Sequence, residues 1–316
     1  MSLPGLLQRL ALPVIGSPLF IISNPELVIA QCKAGIVGSF PALNARPAGV
    51  LDEWLRRIEG ELGEHDARHP ERPSAPFAVN QIVHRSNERL MADIEVCVAH
   101  QVPILITSLG ARPEVNEAAH SYGGIVLHDV ISDAFARKAI EKGADGLIAV
   151  AAGAGGHAGT ISPIALIQEI RAWFDGPVAL SGAIGTGDGV LAAQAMGADL
   201  AYIGSAFIAT TEANASQDYK DMIVRSKASD IVYTNLITGV HGNYLKQSLV
   251  LAGLDPEHLP QSDASAMDFG AGKTKAWKDI WGSGQGIGAV REVVPTAELV
   301  ARLSREYAAA RARLAL

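Results

Sequence analysis

Residues 178–189, Val-Ala-Leu-Ser-Gly-Ala-Ile-Gly-Thr-Gly-Asp-Gly, and residues 200–205, Leu-Ala-Tyr-Ile-Gly-Ser, decide the fold. Each stretch opens on a short apolar run and closes on small residues, Ser181-Gly182-Ala183 and Gly204-Ser205. Between them residues 189–196 have a helical pattern, and Gly197 supplies a stop. The order is strand, small-residue turn, helix, strand, small-residue turn. Small residues after a strand let backbone N–H groups approach an anion, and a following helix N-terminus adds a favourable dipole. Two such turns on neighbouring strands predict a phosphate cradle. In (β/α)₈ barrels that cradle lies after the last two strands.

The rest of the chain repeats the same grammar. Apolar, β-rich runs fall at residues 14–17, 36–40, 77–80, 104–108, 125–130, 146–152, 178–181 and 200–205. Helical patterns between them cover residues 24–34, 50–62, 87–100, 113–122, 132–142, 163–173 and 187–196. Asn24 and Ser132 read as N-caps, and Gly143 and Gly197 as stops. Alternating strands and helices imply parallel pairing, and eight such units imply a closed (β/α)₈ TIM barrel. The alternation stops at residue 212. A helical pattern at 216–227, a turn-rich stretch at 234–244 and a polar stretch at 255–272 follow. The expected organisation is a barrel from 1–211 and 277–316, with a mainly helical lid inserted at 212–276. An amphipathic tail at 296–314 is expected on the outside of the barrel.

Bulk properties narrow the partners. Of 316 residues, 48% are hydrophobic and 19% charged, as expected of a globular enzyme with a large core. A net charge of −7 argues against nucleic acid or an anionic membrane as the main partner. Cys32 and Cys97 both sit in apolar helical patterns, so neither a disulfide framework nor a cysteine metal site is expected. No apolar run reaches the roughly 20 residues of a membrane span. The sequence does not open on a basic flank followed by an unbroken apolar core, so a cytoplasmic protein is expected. No HExxH motif, metal-spaced His/Asp set or Walker-type Gly-Lys-Ser/Thr occurs, and no metal is expected.

Active sites of such barrels lie at the strand C-termini. That rule selects Ser17, Asn80, Ser108, His128, His157, Ser181, Gly182, Gly204 and Ser205. His157 lies in Ala152-Gly-Ala-Gly-Gly-His-Ala-Gly159, a flexible loop whose only titratable group is the imidazole. It suits a general base or a donor to a developing anion; the alternative is a loop histidine bonded to a carbonyl. His128 and Asp129 end one strand, where neighbours point to opposite faces, so at most one enters the mouth. Asn80 suits the edge of a heteroaromatic ring, or a turn. Trp281-Gly-Ser-Gly-Gln285 repeats the small-residue grammar, either closing over the same ligand or entering a helix. His241 and Tyr244 are candidates to reach the mouth from the insertion.

Together these segments resemble the nitronate monooxygenase family, formerly called 2-nitropropane dioxygenases, and related to flavin-dependent enoyl-ACP reductases. The similarity covers most of the chain. It is carried by Gly155-Gly156-His157-Ala158-Gly159, Ser181-Gly182-Ala183, Gly204-Ser205, Trp281-Gly-Ser283-Gly284-Gln285 and Phe77-Ala-Val-Asn80. The resemblance implies an FMN enzyme that oxidises alkyl nitronates or nitroalkanes with O₂ to carbonyl compounds and nitrite. It implies that His157 is the catalytic base beside the flavin. The small-residue turns around Gly182, Ala183, Gly204 and Ser205 would grip the FMN phosphate. Two departures stand out. The family's first strand usually ends Gln-Gly-Gly-Met; here the stretch is Gly16-Ser17-Pro18-Leu19, and a proline has no N–H to offer the ring. Asp129 stands where several members carry a basic residue. Rival readings are an NAD(P)H-dependent quinone or enoyl reductase, a flavin-free sugar-phosphate barrel, and a flavin-binding protein without turnover. A homodimer and the use of NAD(P)H remain open at this point.

Overall fold

The computed structural model describes residues 3–47, 49–237, 239–260 and 280–315. Eight parallel strands form one sheet: β1 (Val14–Gly16), β2 (Gly38–Pro41), β3 (Phe77–Ile82), β4 (Ile104–Ser108), β5 (Ile125–Val130), β6 (Gly146–Val150), β8 (Val178–Ser181) and β9 (Leu200–Ile203). Their order around the sheet is β1-β9-β8-β6-β5-β4-β3-β2. The sheet closes between its two end strands. Ile15 bridges Val37 in parallel, Gly16 N–H donates to the Val37 carbonyl at 2.8 Å, and Val37 N–H donates to the Val14 carbonyl at 3.1 Å. This is the (β/α)₈ barrel expected from the alternation of strand and helix patterns.

The expected caps are in place. Asn24 accepts from Leu27 N–H ahead of the helix Pro25–Lys33, with Pro25 at its first turn, and Ser132 accepts from Phe135 N–H ahead of Asp133–Glu141. Gly197 ends Gly187–Met196 with a φ of 111°, and Gly143 follows Asp133–Glu141 with a φ of 96°. Both lie in the left-handed region that favours glycine.

Register decides which side chains enter the barrel. Ile15, Val37, Ala78, Ile104, Ile106, Leu127, Ile148, Ala179 and Leu200 fill the interior, with Leu7 of the N-terminal helix Gly5–Gln8 in the same cluster. Along β5 the interior positions are therefore 127 and 129, and His128 points the other way. The alternate residues pack between sheet and helices in two larger clusters.

The outermost layer is completed from far along the chain. The helix after β9, Ser205–Ile208, is a single turn. The eighth outer position is filled instead by the C-terminal helix Thr296–Arg313, which packs against Pro25–Lys33 and Gly187–Met196. Gly187 permits the close approach: a Cβ there would overlap Tyr307 N and the Leu303 carbonyl. Glu306 accepts from Gly187 N–H at 2.8 Å, so one helix caps the other.

The described part of the insertion combines helices with strands. It contains a helix, Gln217–Arg225, two strands, β10 (Ile231–Thr234) and β11 (Gly242–Leu245), and a short helix, Lys246–Leu251. The expected polar stretch runs past residue 260 and there lies outside the described residues. β10 and β11 join β7 (Gly156–His157) in a three-stranded antiparallel sheet. Strand pairing between sequence-distant segments gave no local periodicity to read. Among the described residues no helix is long and apolar enough to cross a membrane.

Candidate active site

One cavity of about 480 Å³ opens at the C-terminal ends of the barrel strands. Three walls and a cover define it. The first wall follows β1 and is apolar: Pro18, Leu19, Phe20 and Ile22 line it below Ser17. Leu19 N–H is spent internally, donating to Ser23 Oγ at 2.9 Å. With Pro18 lacking an N–H, this loop offers hydrophobic contact.

The second wall is the pair of small-residue turns after β8 and β9. Ser181, Gly182, Ala183, Gly204 and Ser205 all line the cavity. A Cβ at Gly204 would lie 3.2 Å from both Ser17 Oγ and Leu19 Cδ2, so a larger residue would crowd the cavity wall. Gly182 has a φ of 150°, and Ala183 holds a left-handed φ of 56°. Such a conformation costs a non-glycine residue about 1 kcal/mol and is tolerated when its surroundings demand it. Ser205 opens a helix whose first N–H groups have no intrahelical acceptor by construction. Its hydroxyl accepts from Gly284 N–H at 2.8 Å.

The third wall lies across the barrel, at the ends of β3, β4 and β5. Asn80 Nδ2 donates to Ser108 Oγ at 2.7 Å and to the Ile106 carbonyl at 3.2 Å. Ser108 and the Leu109 backbone lie beside the Asp129 carboxylate, where hydrogen bonding favours its charged form. Burial pushes the Asp129 carboxyl up to about 6, with those two hydrogen bonds opposing the shift. Tyr202, on β9, also lines the cavity. Burial holds its phenol well above the ordinary range, the Asp129 charge adds to the shift, and a hydrogen bond from Ser17 opposes it.

The cover is the loop 153–157 together with residues 281–286. His157 lines the cavity, and desolvation lowers its imidazole to about 4. It is therefore neutral at neutral pH, with the capacity to accept a proton. Asn243 Nδ2 donates to the Ala154 carbonyl at 2.7 Å and steadies the loop. Tyr219 donates to the Gly282 carbonyl, and its ring stacks on Trp281 with centroids 4.7 Å apart. Gly155 allows the loop to touch the cover, since a Cβ there would lie 2.6 Å from Gly284 N.

The structure thus brings together most of the residues selected from sequence: Ser17, Pro18, Leu19, Asn80, Ser108, Gly156, His157, the two cradle turns and Gly284. Five are placed elsewhere. His128 faces the helix layer, with Nδ1 2.6 Å from Thr107 Oγ1, and burial lowers it to about 4. Its neighbour Asp129 takes the inward position, as strand alternation requires. Ser283 is buried outside the lining, its N–H donating to the Asn243 carbonyl at 3.1 Å. Gln285 is exposed; its N–H, not its side chain, serves the site by holding the Gly153 carbonyl at 2.9 Å. His241 is exposed and stacks on Tyr233 at 5.1 Å. Tyr244 is fully buried in a small cluster with Leu249 and Ile280. The sequence left open which of His128 and Asp129 faces inward, and the places of Tyr202 and Tyr219 in the lining were not read from it. Tyr202 carried a usable signal: it lies two residues before Gly204, on the same strand face. Among the described residues no group of three or more His, Cys, Asp or Glu is placed to hold a metal ion.

Three comparisons extend these observations. The family model for nitronate monooxygenase matches residues 64–306. A nitronate monooxygenase of Paraburkholderia phytofirmans is 26% identical over 93% of this chain and 92% of its own length. Among solved structures, a nitroalkane oxidase from Streptomyces ansochromogenes superposes with a TM-score of 0.82 at 24% identity, covering 98% of this chain and 99% of that one. FabK from Thermotoga maritima has a TM-score of 0.76 at 22% identity, with 98% and 96% covered. At these identities the solved structures speak for the fold.

Proposed function

This chain belongs to the nitronate monooxygenase family, and we propose that it is an FMN-dependent oxidoreductase acting on alkyl nitronates or nitroalkanes with O₂, giving a carbonyl compound and nitrite. One observation carries the reading: the cavity is continuous from the small-residue turns at Gly182 and Gly204 to the polar strand ends at Asn80, Ser108 and Asp129. A ligand with a phosphate at one end and a heteroaromatic ring at the other fits that distribution. The crowding that a Cβ at Gly204 would cause against Ser17 and Leu19 supports a close backbone approach there.

In this reading Gly182, Ala183, Gly204 and Ser205 hold the phosphate. Asn80 and Ser108 offer hydrogen bonds to the polar edge of the ring. Pro18, Leu19 and Ile22 keep water from its apolar side. Bound flavin supplies a two-electron acceptor that O₂ can reoxidise. His157, neutral at neutral pH, accepts the proton lost from the carbon bearing the nitro group; a nitronate arrives without that proton. The described part of the insertion serves as a lid, because β11 pairs with the strand that carries His157.

The test is the visible spectrum of the purified protein after incubation with FMN, followed by anaerobic mixing with ethylnitronate or NADH. A yellow protein bleached by nitronate and recoloured by air is the expected result. A colourless protein that FMN does not restore would replace this reading with a flavin-free phosphate-binding barrel. Rapid bleaching by NADH but not by nitronate would replace it with a reductase.

A further inference from the structure

Asp129 is the one carboxylate lining the cavity among the described residues, and it makes no ion pair among them. Its position is built. Strand alternation turns it inward, hydrogen bonding from Ser108 and Leu109 favours its charged form, and Asn80 in turn holds the Ser108 hydroxyl at 2.7 Å. A desolvated carboxylate without a cation is costly to keep charged and costly to leave unbonded. The two donors balance that cost, so that either protonation state is within reach near neutral pH.

The surrounding groups leave this titration to Asp129. Facing it from β9 is Tyr202, whose phenol stays protonated far above neutral pH. The neighbouring strand β6 contributes Val150 to the lining, and β4 contributes Ser108. Of the other ionisable lining groups, His157 and Tyr219 are shifted away from neutrality by burial, in opposite directions. Arg46 lies at the exposed rim over the Phe20 ring. His128, next in sequence, is turned to the helix layer and lowered to about 4.

We propose that Asp129 is a proton-exchanging residue for the bound flavin: its carboxylate takes up one proton when two electrons enter the ring system and returns it when O₂ withdraws them. The inference rests on the flavin reading above. One O–H bond forms at an Asp129 oxygen, the proton comes from water, and the electrons come from the substrate or a chemical reductant. The physical cause is Coulombic: added negative charge in a poorly solvated cavity raises the proton affinity of a carboxylate facing it. Coupling is reciprocal, so the protonation state of Asp129 also sets how readily the flavin is reduced.

The experiment is a dithionite titration of the FMN-loaded protein between pH 5 and pH 8.5, with reduced-minus-oxidised infrared spectra at pH 7. In the wild type, a protonated-carboxyl band grows in on reduction. Asp129→Asn removes that band and favours reduction by about tenfold, a rise of about 30 mV for a two-electron couple. Ser108→Ala removes a donor to the carboxylate, so the carboxyl is already protonated to higher pH and the pH dependence of the potential shifts upward. An Asp129→Asn protein with full FMN and the wild-type potential and infrared spectrum would overturn the inference while leaving the flavin reading intact. If Asp129→Asn does not fold, an unshifted Ser108→Ala profile overturns it. A wild-type protein that binds no FMN would remove the flavin reading and this inference with it.

Discussion

His157 lies directly opposite Gly242 in an antiparallel ladder, and Gly156 lies opposite Asn243. The loop that leaves β6 is therefore not held by the barrel alone. Its orientation is set by a strand from the insertion 85 residues later in sequence order. The pairing is tight: a Cβ at Gly242 would lie 2.8 Å from the Gly156 carbonyl oxygen.

The first prediction separates chemistry from scaffold at His157. His157→Asn should fold and load FMN. Turnover of neutral nitroalkanes should fall by about 10²- to 10⁴-fold, the usual loss for a missing general base. Preformed nitronate, which has no proton to lose, should be oxidised at a rate much closer to wild type. Steady-state rates on a matched nitroalkane and nitronate, at known flavin occupancy, check this; equal losses on both would remove the base role.

The second concerns the anchor of the same loop. Asn243→Ala leaves the buried Ala154 carbonyl without its side-chain donor, a loss of about 1–3 kcal/mol. Thermal stability should drop, and kcat should drop with it, while FMN occupancy stays near stoichiometric. His241→Ala, at an exposed position outside the cavity, should leave all three unchanged.

At the cradle, Gly204→Val places branched carbon where even a Cβ meets Ser17 and Leu19 at 3.2 Å. FMN content after gel filtration should fall at least about tenfold if those atoms and the phosphate share the space. The circular dichroism spectrum should be retained. A Gly204→Val protein that keeps stoichiometric flavin would place the phosphate elsewhere.

Ala183 gives the opposite case. Its left-handed backbone, φ 56°, is strained for any residue with a Cβ. Ala183→Gly should stabilise the fold by about 0.5 kcal/mol, or roughly 0.8 °C in Tm for a chain of this size, once the greater freedom of glycine in the unfolded chain is set against the relief. Differential scanning calorimetry reads this directly.

The pH dependence of stability follows from three desolvated groups, of which His128 is buried and His157 and Asp129 are partly buried. His128 and His157 are both lowered from 6.5 to about 4, so the unfolded chain binds more protons than the folded one between those values. Their contribution is present above about 6.5 and is lost as pH falls toward 4. Asp129 is raised from 3.8 to about 6 and acts with the opposite sign, its contribution being present below 3.8 and lost as pH rises through 6. Two groups outweigh one, so stability should decline between pH 6.5 and pH 4. His128→Gln should flatten that acid limb in urea unfolding curves, and Asp129→Asn should steepen it.

The barrel was legible in the sequence because its signals are local. Caps such as Asn24 and Ser132, stops such as Gly143 and Gly197, and small residues at strand ends act within a turn or two of themselves. The small-residue turns after β8 and β9 and the His157 loop, which line the cavity, were legible for the same reason. Tertiary structure alone decided between His128 and Asp129: β5 is buried on both faces, so its apolar residues mark no inner side. The inward face is set by register against β4 and β6, which is a property of three strands at once. It also decided that Tyr244 is core and His241 surface, since β11 acquires its faces only by pairing with β7 and β10. The eighth outer helix came from residues 296–313 rather than from the segment after β9, because closing a long loop costs little more entropy than closing a short one. The amphipathic tail had the larger apolar face to bury, and the barrel supplied the surface that buries it.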